Sequence, residues 1–158
     1  MTSVDITPQR VLATAAKLDW VSTEGHFALQ ADAERLPFGD AQFDIVYSNG
    51  VLHHTPDTGR AIAEVHRVLK TGGRAVVMLY ARHSFEYWIN LFLWRGVLRG
   101  AMFRRRNWLG PATEWMAREP QRTLNPETKV FSAAQVRRLF DRFGDVRIRK
   151  NSFDFDMA

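Results

Sequence analysis

The sequence predicts a single α/β domain built around a mostly parallel β-sheet. Short apolar runs alternate with helix-period segments along the 158 residues, which is the pattern of strand–helix–strand units. The run Ala75–Leu79 is apolar at every position, which is typical of a strand that is buried on both faces of a parallel sheet. The segment Ala61–Lys70, just before it, places Ile62, Val65 and Leu69 on one helical face. Together these observations favour a crossover helix that feeds a buried strand.

The first half of the chain predicts three strands and one helix. The first strand ends at Asp5, and Thr7-Pro8 has the residue types of an N-cap followed by the first helical position. Val11, Leu12, Ala15 and Leu18 then follow at helical spacing. Later strands are expected at Phe27–Gln30 and at Phe43–Ser48, where Asn49-Gly50 ends the run.

The second half predicts two helices, two strands and a long insertion. We expect the Ala61–Lys70 helix to stop at Thr71-Gly72-Gly73 and a strand to occupy Arg74–Tyr80. Residues 81–127 predict a variable, mainly helical insertion. Ser132 and Gln135 have capping-box spacing, and we expect the helix that they begin to end at Gly144. Alternation over Val146–Arg149 predicts a last strand.

Composition narrows the classes of function. The chain has no cysteine and no His or acidic cluster with ligand spacing, so we expect no metal site. No apolar stretch is long and uncharged enough for a membrane span, and the N-terminus is not a secretory signal, so we expect a cytoplasmic protein. The net charge is +5, and five arginines lie between Arg95 and Arg106. This run predicts peripheral contact with anionic surfaces.

Three stretches resemble the class I, Rossmann-like methyltransferases that use S-adenosylmethionine, in particular the small-molecule "type 11" group. They are Val4–Pro8, the loop Ala31–Phe38 with the strand after it, and Ser48–His54 with the segment Arg67–Arg74. The resemblance implies that the acid ending the second family strand, Asp5, binds the ribose hydroxyls of the cofactor, with Ile6 beside it. It also implies that Asp32 and the backbone of Ala33 hold the adenine.

The same resemblance places Asn49 and Gly50 beside the methionine end of the cofactor, and residues 81–127 on the substrate side, after the fifth family strand. The aromatic residues near the start of 81–127 predict either core packing or a lipophilic pocket for an acceptor. The resemblance implies methyl transfer to a small acceptor, with His53 and His54 at the substrate mouth. One of these histidines would accept a proton from the acceptor. The alternative is that both only pack, because many methyl transfers need no more than alignment of the reactants.

The chain departs from the family at its beginning. Family members start with a central strand and a Gly-rich turn that lies against the cofactor, whereas only four residues precede Asp5. We therefore expect an incomplete Rossmann-like sheet with unpaired edges, and weak cofactor binding by this chain alone. One interpretation is a truncated form of an active enzyme. A second is a remnant without catalysis, or a subunit whose missing strand comes from a partner chain. A third is a basic nucleic-acid-binding module, although no specific nucleic-acid motif supports it.

Overall fold

The computed structural model describes residues 1–21, 25–82 and 128–150, together with Val97. In chain order the described elements are β1 (Thr2–Asp5), α1 (Pro8–Trp20), β2 (Phe27–Gln30), β3 (Phe43–Asn49), a 3-10 helix (Leu52–His54), α2 (Thr58–Val68), β4 (Leu69–Met78) and α3 (Ala133–Leu139). They fall into two compact units. The first contains residues 1–47 and 57–76, and the second contains residues 48–56 and the described residues from 77 onwards.

β1 and β2 form a parallel pair joined by α1. Thr2 lies opposite Phe27 and Asp5 opposite Gln30, so both strands end at the same edge. Pro8 is the first residue of α1, as predicted, because its missing N–H is not needed there. Thr7 is the N-cap residue but its side chain makes no capping bond. Instead the Asp5 carboxylate accepts a hydrogen bond from the Thr7 N–H at 2.7 Å.

β3 and β4 form a second two-stranded sheet, which no ladder of the described residues joins to β1 and β2. These two short sheets confirm the prediction of an incomplete α/β sheet. The apolar side chains Ile45 and Tyr47 of β3 are 65% and 69% exposed. Exposed apolar residues this large, on neighbouring positions of one strand face, indicate a surface that is built to be covered.

The core of the first unit lies along α2. Ala61, Ile62, Val65 and Val68 are buried on one face, so the predicted helical periodicity is confirmed. The helix begins earlier than expected, at Thr58, because the Asp57 side chain caps it by accepting from the Arg60 N–H at 3.0 Å.

The predicted end of this helix was wrong. Leu69 and Lys70 already belong to β4, so Thr71-Gly72-Gly73 lies inside the strand rather than at a helix terminus. The reason is close packing of two backbones. A Cβ on Gly73 would lie 3.1 Å from the Asp44 carbonyl oxygen of β3 and 2.9 Å from that of Lys70. Pairing with β3 therefore overrides the local signal of a glycine stop.

Three further expectations are corrected. The run Ala75–Leu79 is not buried on both faces: Val76 is 45% exposed, because among the described elements nothing covers that side of the two-stranded sheet. Val146–Arg149 has no regular secondary structure, since alternation alone does not supply a strand to pair with. The last helix also ends sooner, at Leu139 rather than Gly144. Within residues 81–127, the predicted insertion lies outside the described residues from 83 onwards, except for Val97.

Candidate functional site

The first candidate region is the edge where β1 and β2 end. Asp5 is the last residue of β1, and Asp32 follows β2 by two residues. The Ala31 N–H donates to the Asp5 carbonyl at 3.1 Å, and the Gln30 side chain donates to the Ile6 carbonyl at 3.0 Å. These bonds hold the two strand ends side by side. In a parallel sheet this carboxyl edge is where a ligand binds.

Each of the two aspartates uses one carboxylate oxygen locally. Asp5 accepts from the Thr7 N–H at 2.7 Å, and Asp32 accepts from the Glu34 N–H at 2.9 Å. In both cases the carboxylate accepts from the backbone N–H two residues later in the chain, and this bond fixes the direction of the carboxylate. A carboxylate has two oxygens with about four acceptor positions, so each group keeps capacity to accept hydroxyl or amino hydrogens from a ligand.

The loop that carries Asp32 and Ala33 is held by polar contacts. None of the residues 31–42 is buried, so the core does not fix the shape of this loop. The Glu34 carboxylate accepts from the Asp57 N–H, at the start of α2, at 2.6 Å. The Ala41 N–H donates to the Arg67 carbonyl, in the last turn of α2, at 2.9 Å. The loop is thus tied to both ends of one helix.

The side chain of Arg67 makes most of these ties. Its guanidinium donates to the carbonyls of Leu36 and Phe38, at 3.1 and 2.7 Å, and to the Asp40 carboxylate at 2.8 Å. Two further donors form a fork on Glu64, both at 2.8 Å.

Glu64 in turn accepts from the Leu36 N–H at 2.8 Å. The bonds from Arg67 hold the pKa of the Glu64 carboxyl below its usual value, so this group stays ionised at neutral pH.

The second unit contains Asn49 and Gly50. Asn49 is the last residue of β3 and is exposed. Gly50 has a φ of +73°, a left-handed conformation that favours glycine. A Cβ at this position would lie 3.5 Å from the terminal methyl of Met78, which is ordinary contact. The backbone angle rather than the space therefore selects glycine here.

His53 is fully buried in the second unit. Its ring stacks between those of His54 and Tyr80, with centroid distances of 4.0 and 3.9 Å. Neither ring nitrogen has a hydrogen-bond partner among the described residues. Burial, with a smaller contribution from neighbouring His54, lowers the pKa of His53 to about 3. The imidazole is therefore neutral at physiological pH.

His54 has a different environment. It is half-buried, and its Nδ1 lies 3.3 Å from the hydroxyl of Thr128. Lys129 fixes the backbone of the same turn: its N–H donates to the His53 carbonyl at 3.0 Å, and its ammonium donates to the carbonyls of Thr55 and Pro56. The adjacent histidines thus differ in exposure and in partners.

The eight predicted site residues divide evenly between the units. Asp5, Ile6, Asp32 and Ala33 lie in the first unit, and Asn49, Gly50, His53 and His54 lie in the second. Within the first unit the structure brings its four residues to one sheet edge. The donor and acceptor types there fit a nucleoside, because two carboxylates can accept from hydroxyl and amino groups while nearby backbone faces the same edge.

Sequence reasoning missed four residues that shape these regions: Glu64, Arg67, Thr128 and Lys129. The i, i+3 spacing of Glu64 and Arg67 is a usable signal for an ion pair on a helix. Nothing local reveals that this pair holds a loop about thirty residues away. Thr128 and Lys129 follow the long insertion, so only the fold brings them to the histidine turn.

Two findings limit other kinds of site. No group of three or more His, Cys, Asp or Glu side chains that could hold a metal ion occurs among the described residues. In the same part of the chain, no helix has the length and apolar character needed to cross a membrane.

Comparison with known proteins gives a family match over the first part of the chain. Residues 1–77 match the family described as "Methyltransferase domain". The ubiquinone/menaquinone biosynthesis C-methyltransferase UbiE of Psychromonas ingrahamii is 33% identical over 87 residues, which are 54% of this chain and 35% of that protein.

Solved structures give the fold. The YcgJ protein of Bacillus subtilis has a TM-score of 0.61 at 24% identity, over 89% of this chain and 50% of that one. A methyltransferase that forms a complex with the activator Trm112 in Haloferax volcanii has a TM-score of 0.60 at 22% identity, over 89% and 48%. The chain therefore spans about half the length of these structures and a smaller share of the curated relative.

Proposed function

We propose that this chain, whose residues 1–77 match a methyltransferase domain, is an S-adenosylmethionine-dependent methyltransferase that takes part in methyl transfer to a small, lipophilic molecule. The observation that carries the proposal is the shared carboxyl edge of β1 and β2, which holds Asp5 beside the loop of Asp32. Two directed carboxylates at one edge suit the ribose and adenine of a nucleoside cofactor.

The residues of the first unit would hold the nucleoside half of the cofactor. Asp5 would accept from the ribose hydroxyls, with Ile6 packing beside the sugar. Asp32 would accept from the adenine amino group while the Ala33 N–H donates to the ring. Each carboxylate is already directed by its local bond, so little conformational freedom is lost on binding.

Residues of the second unit would serve the reacting end. Asn49 and Gly50 would lie beside the methionine part of the cofactor, where a left-handed glycine leaves the backbone uncovered. When bound, the cofactor would supply a methyl group attached to a sulfonium sulfur. The neutral thioether that remains after transfer is a good leaving group. The chain's part is then to align the acceptor and to take its proton.

We assign the proton to His54 and a packing role to His53. His53 is buried, and its lowered pKa makes it a poor base. His54 is half-buried, with Nδ1 directed to the Thr128 hydroxyl. That contact orients the ring of His54, which is less buried than His53, so burial opposes protonation less at His54 than at His53.

The acceptor class rests on a relative. UbiE is named for a C-methyltransferase of ubiquinone and menaquinone biosynthesis, and a 27-O-demethylrifamycin SV methyltransferase of Amycolatopsis mediterranei is 50% identical over 44 residues. Both names describe methylation in the formation of a small organic molecule. They support a small and largely apolar acceptor for this chain.

Calorimetric titration with S-adenosylhomocysteine tests the proposal. We expect binding weaker than micromolar for the wild-type chain, and a further loss of roughly five- to hundredfold for Asp32→Asn, because the variant replaces a charged acceptor. Asp145→Asn is the matched control, since Asp145 lies in the second unit and forms an ion pair with the nearby Arg147. Equal affinities for the wild type and the Asp32 variant would contradict the role of Asp32.

A second candidate function is that of a subunit completed by a partner chain. It is favoured by the two separate two-stranded sheets and by the exposed apolar face of β3. Strand edges without partners are surfaces on which another chain can add a strand. One structural neighbour, from Haloferax volcanii, forms a complex with an activator protein.

A further inference from the structure

One polar network in the first unit has no part in the functions proposed so far. Arg67 uses donors at Nε, Nη1 and Nη2, and its acceptors among the described residues are Glu64 and residues of the segment 36–40. Helix-surface arginines usually point to water or to one carboxylate. A guanidinium that binds two carbonyls and two carboxylates has a fixed orientation and holds its acceptors at fixed distances.

The network restrains a loop that is not held in place by buried side chains of its own. Residues 31–42 contain no buried side chain and no helix, and Ala41 adopts a positive φ of 54°. A loop of this kind would otherwise sample many conformations. The Arg67–Glu64 pair restrains it at Leu36, Phe38 and Asp40, and Glu34 restrains it at the other end of α2.

The restraint extends to the proposed adenine-binding residues. Glu34 is bonded through its carboxylate to the Asp57 N–H and through its own N–H to Asp32 Oδ1. The Arg35 N–H donates to the Asp32 carbonyl at 3.0 Å. Leu36, the next residue, is held on both its N–H and its carbonyl by Glu64 and Arg67. A continuous chain of bonds therefore leads from α2 to Asp32.

We propose that Arg67 and Glu64 are positioning residues that keep the Asp32 loop in its ligand-binding conformation. This inference rests on the proposed function, because it takes Asp32 and Ala33 as residues that bind the cofactor. Neither side chain of the pair would touch the cofactor. Their contribution is preorganisation, which lowers the conformational cost of binding.

The test combines hydrogen exchange with titration of S-adenosylhomocysteine. Arg67→Lys keeps the charge but cannot form the fork, whereas Arg60→Lys changes an exposed arginine on the same helix and serves as the control. In Arg67→Lys we expect the amides of residues 32–36 to exchange about tenfold faster, while the buried segment 61–65 keeps its protection. Affinity for S-adenosylhomocysteine should fall roughly five- to thirtyfold, measured well below the melting temperature.

The possible results distinguish the inference about Arg67 and Glu64 from the proposed function of the chain. Unchanged exchange in the loop would overturn the inference, and so would faster exchange with unchanged affinity in a folded variant. A fall in affinity equal to that of Arg60→Lys would also overturn it. If the wild-type chain does not bind S-adenosylhomocysteine at low-millimolar concentration, the proposed function of this chain fails. The exchange measurement then still decides whether Arg67 and Glu64 order the loop.

Discussion

At the scale of single residues, the two adjacent histidines show how neighbours acquire different chemistry. His53 is fully buried against Tyr80 and His54, and neither of its ring nitrogens has a hydrogen-bond partner among the described residues. Desolvation disfavours the charged imidazolium, which is why its pKa falls. His54, one residue later, faces the Thr128 hydroxyl instead. The sequence reads His-His, and only burial distinguishes the two.

The lowered pKa predicts a pH dependence of stability. His53 has a pKa of about 3 in the folded chain and about 6.5 when exposed, so between these values the unfolded state binds more protons. The stabilisation is complete above pH 6.5 and is lost as the pH falls towards 3. We expect His53→Phe, which keeps the aromatic stack, to lose less stability between neutral pH and pH 4.5 than the wild type does.

Urea denaturation at the two pH values measures this effect. The expected difference is on the order of 1–3 kcal/mol, less than the full shift because pH 4.5 still lies above the pKa of about 3 of the buried histidine. His66→Gln, at an exposed position of α2, should keep the slope of the wild type. An identical slope in His53→Phe would show that His53 does not titrate as proposed.

At the scale of elements, the cap of α3 and the buried face of α2 were readable from the sequence. The predicted apolar face of α1 was wrong at Leu12, which is exposed, and helix ends decided by distant contacts were not readable. The Ser132–Gln135 capping box is present with both of its bonds. The buried face of α2 contains Ile62 and Val65, as the helical period predicts. The glycines that were expected to stop α2 lie inside β4, because the approach of β3 favours glycine there. Such a contact lies outside any local window of sequence.

The capping box gives a prediction at this scale. α3 has only seven residues, so the free N–H groups of its first turn are a large share of its backbone donors. Ser132→Ala removes the acceptor for the Gln135 N–H and should cost about 1 kcal/mol of stability. Ser132→Asp supplies another good capping oxygen and should retain most of the stability.

Thermal or urea denaturation compares the three chains, and amide exchange of residues 133–139 locates the effect. The Ala variant should show faster exchange within α3 than either the wild type or the Asp variant. Equal exchange in the Ser132→Ala helix would mean that its first turn is held by something other than the cap.

The sequence predicted which positions belong to the candidate site, but it did not predict how their side chains are arranged. Asp5 at the end of β1, Asp32 just after β2 and Asn49 at the end of β3 all follow from strand patterns in the sequence. Their roles rest on the family resemblance and stay proposals. Arg67 could not be assigned to the site from sequence, because its acceptors are 27 to 31 residues away along the chain.

At the scale of the whole chain, the main observation is that the described strands form two separate two-stranded sheets. An isolated pair of strands is at most marginally stable in water, so each pair depends on α1 or α2 or on a further chain. The exposed apolar positions of β3 mark one surface where a partner would gain contact area. The exposed positions of β3 support the partner interpretation, whereas the cofactor interpretation rests on the carboxyl edge shared by β1 and β2.

Association through the sheets predicts a concentration-dependent mass. We expect light scattering to give a mass above that of the 18.2 kDa chain at high concentration. Ile45→Lys places a charge on the exposed face of β3 and should shift the distribution towards the single chain. Leu12→Lys, at an exposed position of α1, is the matched control and should leave the mass unchanged.

Two results would count against this prediction. A mass of 18.2 kDa at every concentration would show that the open sheets do not recruit a second copy of this chain. Equal reductions by Ile45→Lys and Leu12→Lys would indicate general hydrophobic association rather than pairing at the β3 sheet.

The sequence by itself determined the order of the elements from β1 to β4, the resemblance of residues 1–77 to methyltransferase domains, and the strand ends that carry Asp5, Asp32 and Asn49. These properties are local, because they depend on side-chain period, turn residues and short motifs. The tertiary structure alone decided that Thr71-Gly72-Gly73 lies inside β4 and that Arg67 holds the Asp32 loop. It also decided that His53 is fully buried while His54 is only half-buried. Each of these depends on groups that are distant in sequence, and burial and hydrogen bonding act only once the fold has brought them together.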